Sequence, residues 1–460
     1  MAELPLPGTQ LTEDAVGAAV PSPVRALLAT LWSAGHSAFV VGGSLRDALL
    51  GRDPNDWDLT TDARPDRILE LVPGSVYENA FGTVAVRRDG ELYEITTFRS
   101  DHDYADFRRP HRVEFGDSIE LDLARRDFTV NAIAWGGPAG AAPAIIDPFG
   151  GRADIDARLL RAVGDPVARF EEDALRMIRA VRLSAALEFT IEPATLAGIA
   201  ARAELVRHLS GERIAAELWK LLAAARPSVG LRLMAETGIL DHVSPELAAQ
   251  RGVPQNKVDG EDLWDHTLRS VDAARADRPV VRLATLLHDI GKPGTFADGH
   301  FLGHETVGAG MTAALLDRLR APRSVRERVV HLVRQHMFSY EPAWSDAAVR
   351  RFIAKIGVDA IEELFELREA DNVGSGRPSD AGGLGELRGR VAAELEGDTV
   401  LDRSDLRIDG HDLMTELGLP AGPALGRILD ELLDRVIVDP GLNDRPTLLL
   451  LARTLIDEDD

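Results

Sequence analysis

The chain has 460 residues, 45% hydrophobic and 28% charged, enough apolar content for several packed cores and too much for wholesale disorder. It contains no cysteine, which excludes disulfides, thiolate zinc sites and a cysteine nucleophile. A formal net charge of −23 excludes a surface that is basic throughout. No apolar run approaches the roughly 18 residues of a membrane span, and the N-terminus lacks a secretory signal, so a cytoplasmic protein without a membrane partner is expected.

Residues 1–24 are rich in Pro, Gly and Ala without periodicity and predict a flexible tail. From 25 to 151 the pattern is mixed. A helix (VRALLATLWSAG) leads to the apolar run AFVVGG and a second helix, SLRDALLG, closed by Gly51. Strand-like runs follow: WDLTT, TVAVRR and ELYEITTFR. Residues 152–250 read as helix, in EDALRMIRAVRLSAALEF, ATLAGIAARAELVRHL and ERIAAELWKLLAAA. A further helical domain is expected over 255–375 and a helical C-terminal tail over 386–460, with GSGRPSDAGGLG (374–385) between them as a linker. The fold class expected is α+β, a mixed head followed by an all-α body. Residues 174–240 carry nine Lys or Arg against six Glu and no Asp. Two readings stay open for that stretch, a fluctuation along helices or a face turned to RNA.

The head holds the first chemical cluster, VVGGSLRDALLGRDPNDWDLTT. Gly42 and Gly43 fall where a strand passes into a helix, where a bare backbone lets a phosphate come close to helix amides. Arg46, one turn on, can add a charge-assisted bond to the same phosphates. Asp56 and Asp58, two apart in an extended segment, project to one side. Two carboxylates so placed call for a cation, and Mg2+ is the one that shares its oxygen shell with nucleotide phosphates. Glu94, in LYEITTF, is the candidate for a third carboxylate.

GGSLRD, DWD, RRDFTVNAIA (125–134) and EDALRMIRAVR (172–182) follow one another in order, and SGERIAAELWKLL extends the pattern. Over about residues 25–240 the chain thereby resembles the bacterial class II tRNA nucleotidyltransferases, or CCA-adding enzymes, and their relatives the bacterial poly(A) polymerases. The resemblance implies a DNA polymerase beta-like head and template-independent transfer of CMP and AMP from CTP and ATP to the 3′ end of tRNA. It implies that Gly43, Arg46 and Arg126 contact the incoming nucleotide, that Asp56 and Asp58 hold Mg2+, and that Arg179 and Arg182 also bind nucleotide. It further implies a flexible loop at DHDYADFRRPHRVEFGDS (101–118), as in relatives that complete the terminal adenosine. A poly(A) polymerase or an enzyme adding only A remains a rival within the class. A phosphohydrolase with a nucleotide-binding head, or an RNA-binding structural protein, is the rival outside it.

Base choice can be argued from the residues themselves. Asp173 and Arg176 stand three apart, expected on neighbouring parts of one helix face. Aspartate only accepts hydrogen bonds and arginine only donates. Cytosine and adenine both set an amine donor beside a ring acceptor, and guanine and uracil reverse that order. Such a pair suits C and A and leaves groups unpaired against G and U, at about 1–3 kcal/mol each. Arg182 falls half a turn from Asp173 on a straight helix, so it reaches the nucleotide only from the side or if the helix bends.

The second constellation is His266, His288-Asp289, His304, His336 and Asp371, in a chain with only 12 histidines. Imidazole and carboxylate from several helices can build a mixed metal site without cysteine, better suited to Mn, Fe, Ni or Zn than to Mg2+. The order H…HD…H…H…D around HDIGK resembles the HD-domain metal-dependent phosphohydrolases over about 255–375, which implies hydrolysis of phosphoesters such as cyclic-phosphate RNA ends. Whether one or two metals bind stays open.

Overall fold

The structure is a computed structural model that describes residues 13–54, 56–79, 82–102, 112–255, 257–397 and 399–459. The chain divides into two compact units, Met1–Ala248 and Ala249–Asp460.

The first unit opens on a mixed sheet. Its strands are β1 Ala38–Val41, β2 Asp58–Thr61, β3 Ser75–Asn79, β4 Thr83–Arg88, β5 Glu91–Thr97, β6 Arg99–His102, β7 Arg112–Phe115, β8 Ala134–Gly137 and β9 Ala144–Ile146. Seven of them form one sheet in the order β3-β4-β5-β2-β1-β8-β9, while β6 and β7 pair apart as an antiparallel ribbon. Within the large sheet β2 and β5 run parallel and the remaining pairs antiparallel. β1 lies inside the sheet between β2 and β8, and all four of its residues are buried, which explains why AFVV reads as an unbroken apolar run. Phe39 and Val41 pack with Phe98, Leu123, Ala132 and Val163 into one core cluster.

Helices Pro166–Glu172, Leu175–Leu187, Pro193–Arg202, Gly211–Leu222 and Pro227–Glu236 complete the unit. Helix Leu175–Leu187 buries Met177, Ile178, Val181 and Leu187, leaving Arg179 and Arg182 on its less covered side.

Two sequence expectations are corrected here. The tail predicted over 1–24 contains helix Glu13–Ala19 and the start of helix Ser22–Ser33. Val16 and Val20 are buried, and the Gly17 backbone passes the Trp135 ring so closely that a Cβ would meet it at 2.8 Å. Apolar burial, invisible in a short Ala-Gly-rich segment, orders it. The segment 374–385 is not an extended linker either. The buried Asn372 amide donates to the Ser379 and Ala381 carbonyls at 2.8 and 3.0 Å and folds the segment back onto the end of its helix. Of the loop expected over 101–118, residues 103–111 lie outside the described residues, and its flanks supply β6 and β7.

The second unit is helical. Leu263–Ala273, Pro279–Leu287, His304–Arg318, Arg323–Gln335 and Val358–Gly374 surround the histidine cluster. A separate core of Leu413, Leu432, Val436 and Leu448 holds the last helices together. No helix among the described residues is long and apolar enough to cross a membrane.

Candidate active cleft and candidate metal centre

β1 ends at Val41, and Gly42 turns the chain with φ 83° before helix Gly43–Leu49. The conformation favours glycine, and so does the space. A Cβ on Gly42 would stand 3.0 Å from Arg126 Nη1 and 3.4 Å from Asp58 Oδ2. The bare backbone, a cation and a carboxylate therefore converge on one point. Around it opens a cleft of about 360 Å³ lined by Gly42, Gly43, Arg46, Asp56, Asp58, Arg126, Asp127, Asn131, Arg179, Arg182 and Lys220, among others.

Strand pairing begins at Asp58, so Asp56 precedes β2 and does not belong to it. The alternation still holds: Trp57 is buried, whereas Asp56 and Asp58 on either side are exposed to the cleft. Desolvation raises the Asp58 pKa, Arg126 opposes the rise, and the Asp56 charge adds to it. Glu94 sits on β5 directly across from Asp58 in the parallel register. Desolvation raises its pKa too, with Glu78, Asp58 and Asp56 adding to the rise. Glu94 does not line the cleft. Among the described residues, no three ligand atoms within 4.8 Å include these carboxylates. Two open carboxylates fit a hydrated Mg2+ whose remaining ligands come from water and nucleotide phosphate.

The basic wall is held from behind. Arg46 donates to both Asp47 oxygens at 2.9 Å and to Asn131 Oδ1 at 2.6 Å. Arg126 lies 3.5 Å from the fully buried Asp122. Arg179 Nε donates to Asp127 Oδ2 at 2.8 Å. Burial alone would raise the Asp127 pKa, but Arg179 and the Asn131 amide hold its carboxyl well below the usual range. Glu217 faces Arg182 at 2.7 Å and Arg179 at 3.7 Å; the closer contact is electrostatic, not aligned as a hydrogen bond. Asp122, Asp127, Asn131, Glu217 and Lys220 were missed in the sequence. The signal for Asp127 was present, next to Arg126 in RRDF.

Asp173 and Arg176 stand differently from expectation. The run EDALRMIRAVR is not one helix. The chain breaks at Asp173, with φ −145° and ψ 105°. The Asp173 carboxylate accepts from Leu175 N at 3.0 Å, starting the next helix as a cap does. Its oxygens also take Arg213 Nη2 at 2.8 and 3.1 Å. Arg176 donates to Glu172 at 2.5 Å and to the Arg125 carbonyl at 2.8 Å. Neither residue lines the cleft, whereas Arg179 and Arg182 do, so the break removes the geometric objection to Arg182.

In the second unit the structure gathers all six expected residues. His266 Nε2 lies 3.2 Å from His288 Nε2, 3.3 Å from Asp289 Oδ2 and 3.3 Å from Asp371 Oδ1. His304 and His336 point their Nε2 atoms at Asp289 Oδ1, at 3.3 and 3.6 Å. Two buried triads result, His266–His288–Asp289 and Asp289–His304–His336, sharing one carboxylate. The Nδ1 atoms of His288, His304 and His336 each donate to a backbone carbonyl three residues back at 2.7 Å. That fixes the tautomer and leaves Nε2 free to ligate. Burial opposes charge on His288, yet Asp289 and Asp371 push its pKa up to about 9, while burial dominates at His336 and lowers it. The cluster attracts positive charge, and its nitrogen and oxygen donors fit one or two divalent ions.

A larger cavity of about 640 Å³, lined by Phe189, Arg226, Arg232 and Glu236 among others, contains none of these groups.

Three stretches of the chain match known family models. Residues 38–161 match the poly A polymerase head domain, 188–251 the probable RNA and SrmB-binding site of polymerase A, and 260–374 the HD domain. A CCA-adding enzyme of Levilactobacillus brevis is 35% identical over 92% of this chain and 96% of its own length. One from Geobacillus thermodenitrificans is 47% identical over 46% of this chain and 52% of its own. The Bacillus stearothermophilus CCA-adding enzyme in complex with CTP superposes with a TM-score of 0.68 at 28% identity, covering 96% of this chain and 100% of that one. The Thermotoga maritima CCA-adding enzyme complexed with tRNA shares the fold, with a TM-score of 0.59 at 19% identity over 96% and 98% of the two chains.

Proposed function

The chain belongs to the CCA-adding enzymes, and on that premise we propose that it builds the CCA end of tRNA from CTP and ATP in the cleft between β1, β2 and helix Leu175–Leu187. The observation that carries this reading is the convergence of the Gly42 backbone, Asp58 Oδ2 and Arg126 Nη1 on one point. The tRNA 3′-hydroxyl attacks the α-phosphorus, an O3′–P bond forms, and the α–β bridging bond breaks to release pyrophosphate. Asp56 and Asp58 would hold Mg2+, with Glu94 alongside as the third carboxylate. Bound there, Mg2+ supplies the charge that acidifies the attacking hydroxyl and steadies the leaving group. Arg46, Arg126, Arg179 and Arg182 receive the triphosphate, already oriented by their internal partners.

Asp173 and Arg176 select the base in this reading. In their internal bonds Asp173 accepts and Arg176 donates, the polarity that the pairing edge of C or A would meet in exchange for Arg213 and Glu172. Action on tRNA supports a cytoplasmic location. Supplying tRNA that lacks its CCA end with each nucleoside triphosphate separately tests the whole assignment. CTP alone should add two residues, and ATP should add one only after them. Long A tails, or no incorporation, would overturn it.

The second unit supports a second activity, metal-dependent hydrolysis of phosphoesters, 2′,3′-cyclic phosphates at RNA ends included. His266, His288 and Asp371 would hold one ion, His304 and His336 another, and Asp289 both. Such ions, Mn, Fe, Ni or Zn by donor type, supply a hydroxide at neutral pH. Lys292 pins the shared carboxylate, donating to Asp289 Oδ2 at 2.6 Å.

A further inference from the structure

Asp289, His304, His336 and Asp371 of the cluster form the floor of a cavity of about 570 Å³ whose walls carry four cations, Lys257, Lys292, Arg368 and Arg377. Three are committed to the carboxylates of the floor. Lys292 takes Asp289, Arg368 donates to Asp371 Oδ2 at 3.2 Å, and Lys257 stands 3.4 Å from Asp371 Oδ1. Arg377 is different. Its guanidinium has no ion-pair partner among the described residues, while its backbone is fixed by donation from its N–H to the Asn372 carbonyl at 2.9 Å. The folded-back segment after helix Val358–Gly374 therefore presents one uncommitted cation to the cavity.

Two exposed apolar side chains also line the cavity. Leu302 is 86% exposed and Met337 53%. Exposed apolar side chains over a charged floor suit a ligand with a flat apolar end and an anionic end.

We propose that this cavity takes a nucleoside phosphate, with Arg377 gripping the phosphate and Leu302 and Met337 carrying the base. The proposal rests on the phosphoesterase reading of the second unit and adds what that reading lacks, the residues that recognise the substrate. A guanidinium offers two parallel donors to phosphate oxygens, which an ion-bound phosphate would still have free. The ligand is either a free mononucleotide or the terminal nucleotide of an RNA.

Calorimetric titration of the metal-loaded full chain with inorganic phosphate, 3′-AMP and a short RNA ending in a 3′-phosphate tests this. The unmutated protein should bind 3′-AMP about tenfold or more tighter than phosphate. Arg377→Ala should weaken both by about tenfold, the worth of one charge-assisted hydrogen bond, with metal content unchanged. Leu302→Ser with Met337→Ser should weaken 3′-AMP and leave phosphate alone. RNA binding tighter than 3′-AMP supports an RNA end as the source, and equal binding supports the free nucleotide. Equal affinities for phosphate and 3′-AMP, or no loss in Arg377→Ala, would overturn the proposal. A protein that binds as expected but hydrolyses none of these esters would sink the phosphoesterase reading and leave the recognition standing.

Discussion

The two candidate sites handle positive charge in opposite ways. In the head, Asp56 and Asp58 stand exposed, and among the described residues no third ligand comes close enough to close a cage. In the second unit, two triads with a shared carboxylate are buried and assembled in advance, their histidines oriented by backbone carbonyls. The difference follows from the ligands. Imidazoles need to be locked in one tautomer to be useful, which burial and backbone bonds provide. An Mg2+ site serving phosphoryl transfer must leave most of its shell to the substrate. On the proposed reading the head site would be completed by its nucleotide, whereas the ligands of the second are assembled without a substrate.

The contrast can be broken most sharply in the head. Asp58→Ala should lower CMP and AMP incorporation by about a thousandfold or more, since the loss of one carboxylate removes most of the ion's contribution. The ion content of the second unit should stay as it was; a variant with near-normal incorporation would refute the head assignment. In the second unit, Asp289→Ala should empty both positions, whereas His304→Ala should empty one. Elemental analysis reads the stoichiometry, and CMP addition should remain within about twofold throughout. Asp173→Ala should relax discrimination against GTP and UTP by about tenfold to a hundredfold, the cost of one unpaired group. Unchanged discrimination would end the protein-template argument. Lys220 is exposed, lines the cleft and has no ion-pair partner among the described residues. Its replacement by Ala should raise KM for the triphosphates about three- to tenfold, with kcat little changed.

The smallest expected effect is on stability. Asp127 is depressed on folding, so its contribution is complete above its unfolded value and is lost as pH falls through the folded one. Urea unfolding should show Asp127→Asn about 2 kcal/mol less stable than the parent from pH 7 to about 5. That gap should narrow below about pH 4. A gap that widened in acid would mean the carboxyl is not held by Arg179.

The head was readable where chemistry and geometry share a short span. Gly42, Gly43, Asp56 and Asp58 lie within one strand–helix–strand passage, so local pattern sufficed to bring them together. The histidine cluster was readable for another reason, because scarce residue types recur at helix ends. The break at Asp173 was not readable, for no Pro or Gly marks it; it comes from a side chain capping Leu175 N. The segment 374–385 misled in the reverse sense, since its glycines signal freedom that the Asn372 amide removes. The partners of the cleft arginines escaped as well. Glu217 and Asn131 reach them only through tertiary packing, while Asp122 stands four residues before Arg126.

Glu217 belongs to helix Gly211–Leu222, and the two arginines it faces belong to helix Leu175–Leu187. One carboxylate thus ties both guanidinium groups to a second helix, while Asp127 ties Arg179 to the head as well. Long basic side chains arriving separately would each lose about 2 kcal/mol of rotamer freedom on meeting a triphosphate. Here ion pairs to Asp127 and Glu217 restrict that freedom before a triphosphate arrives.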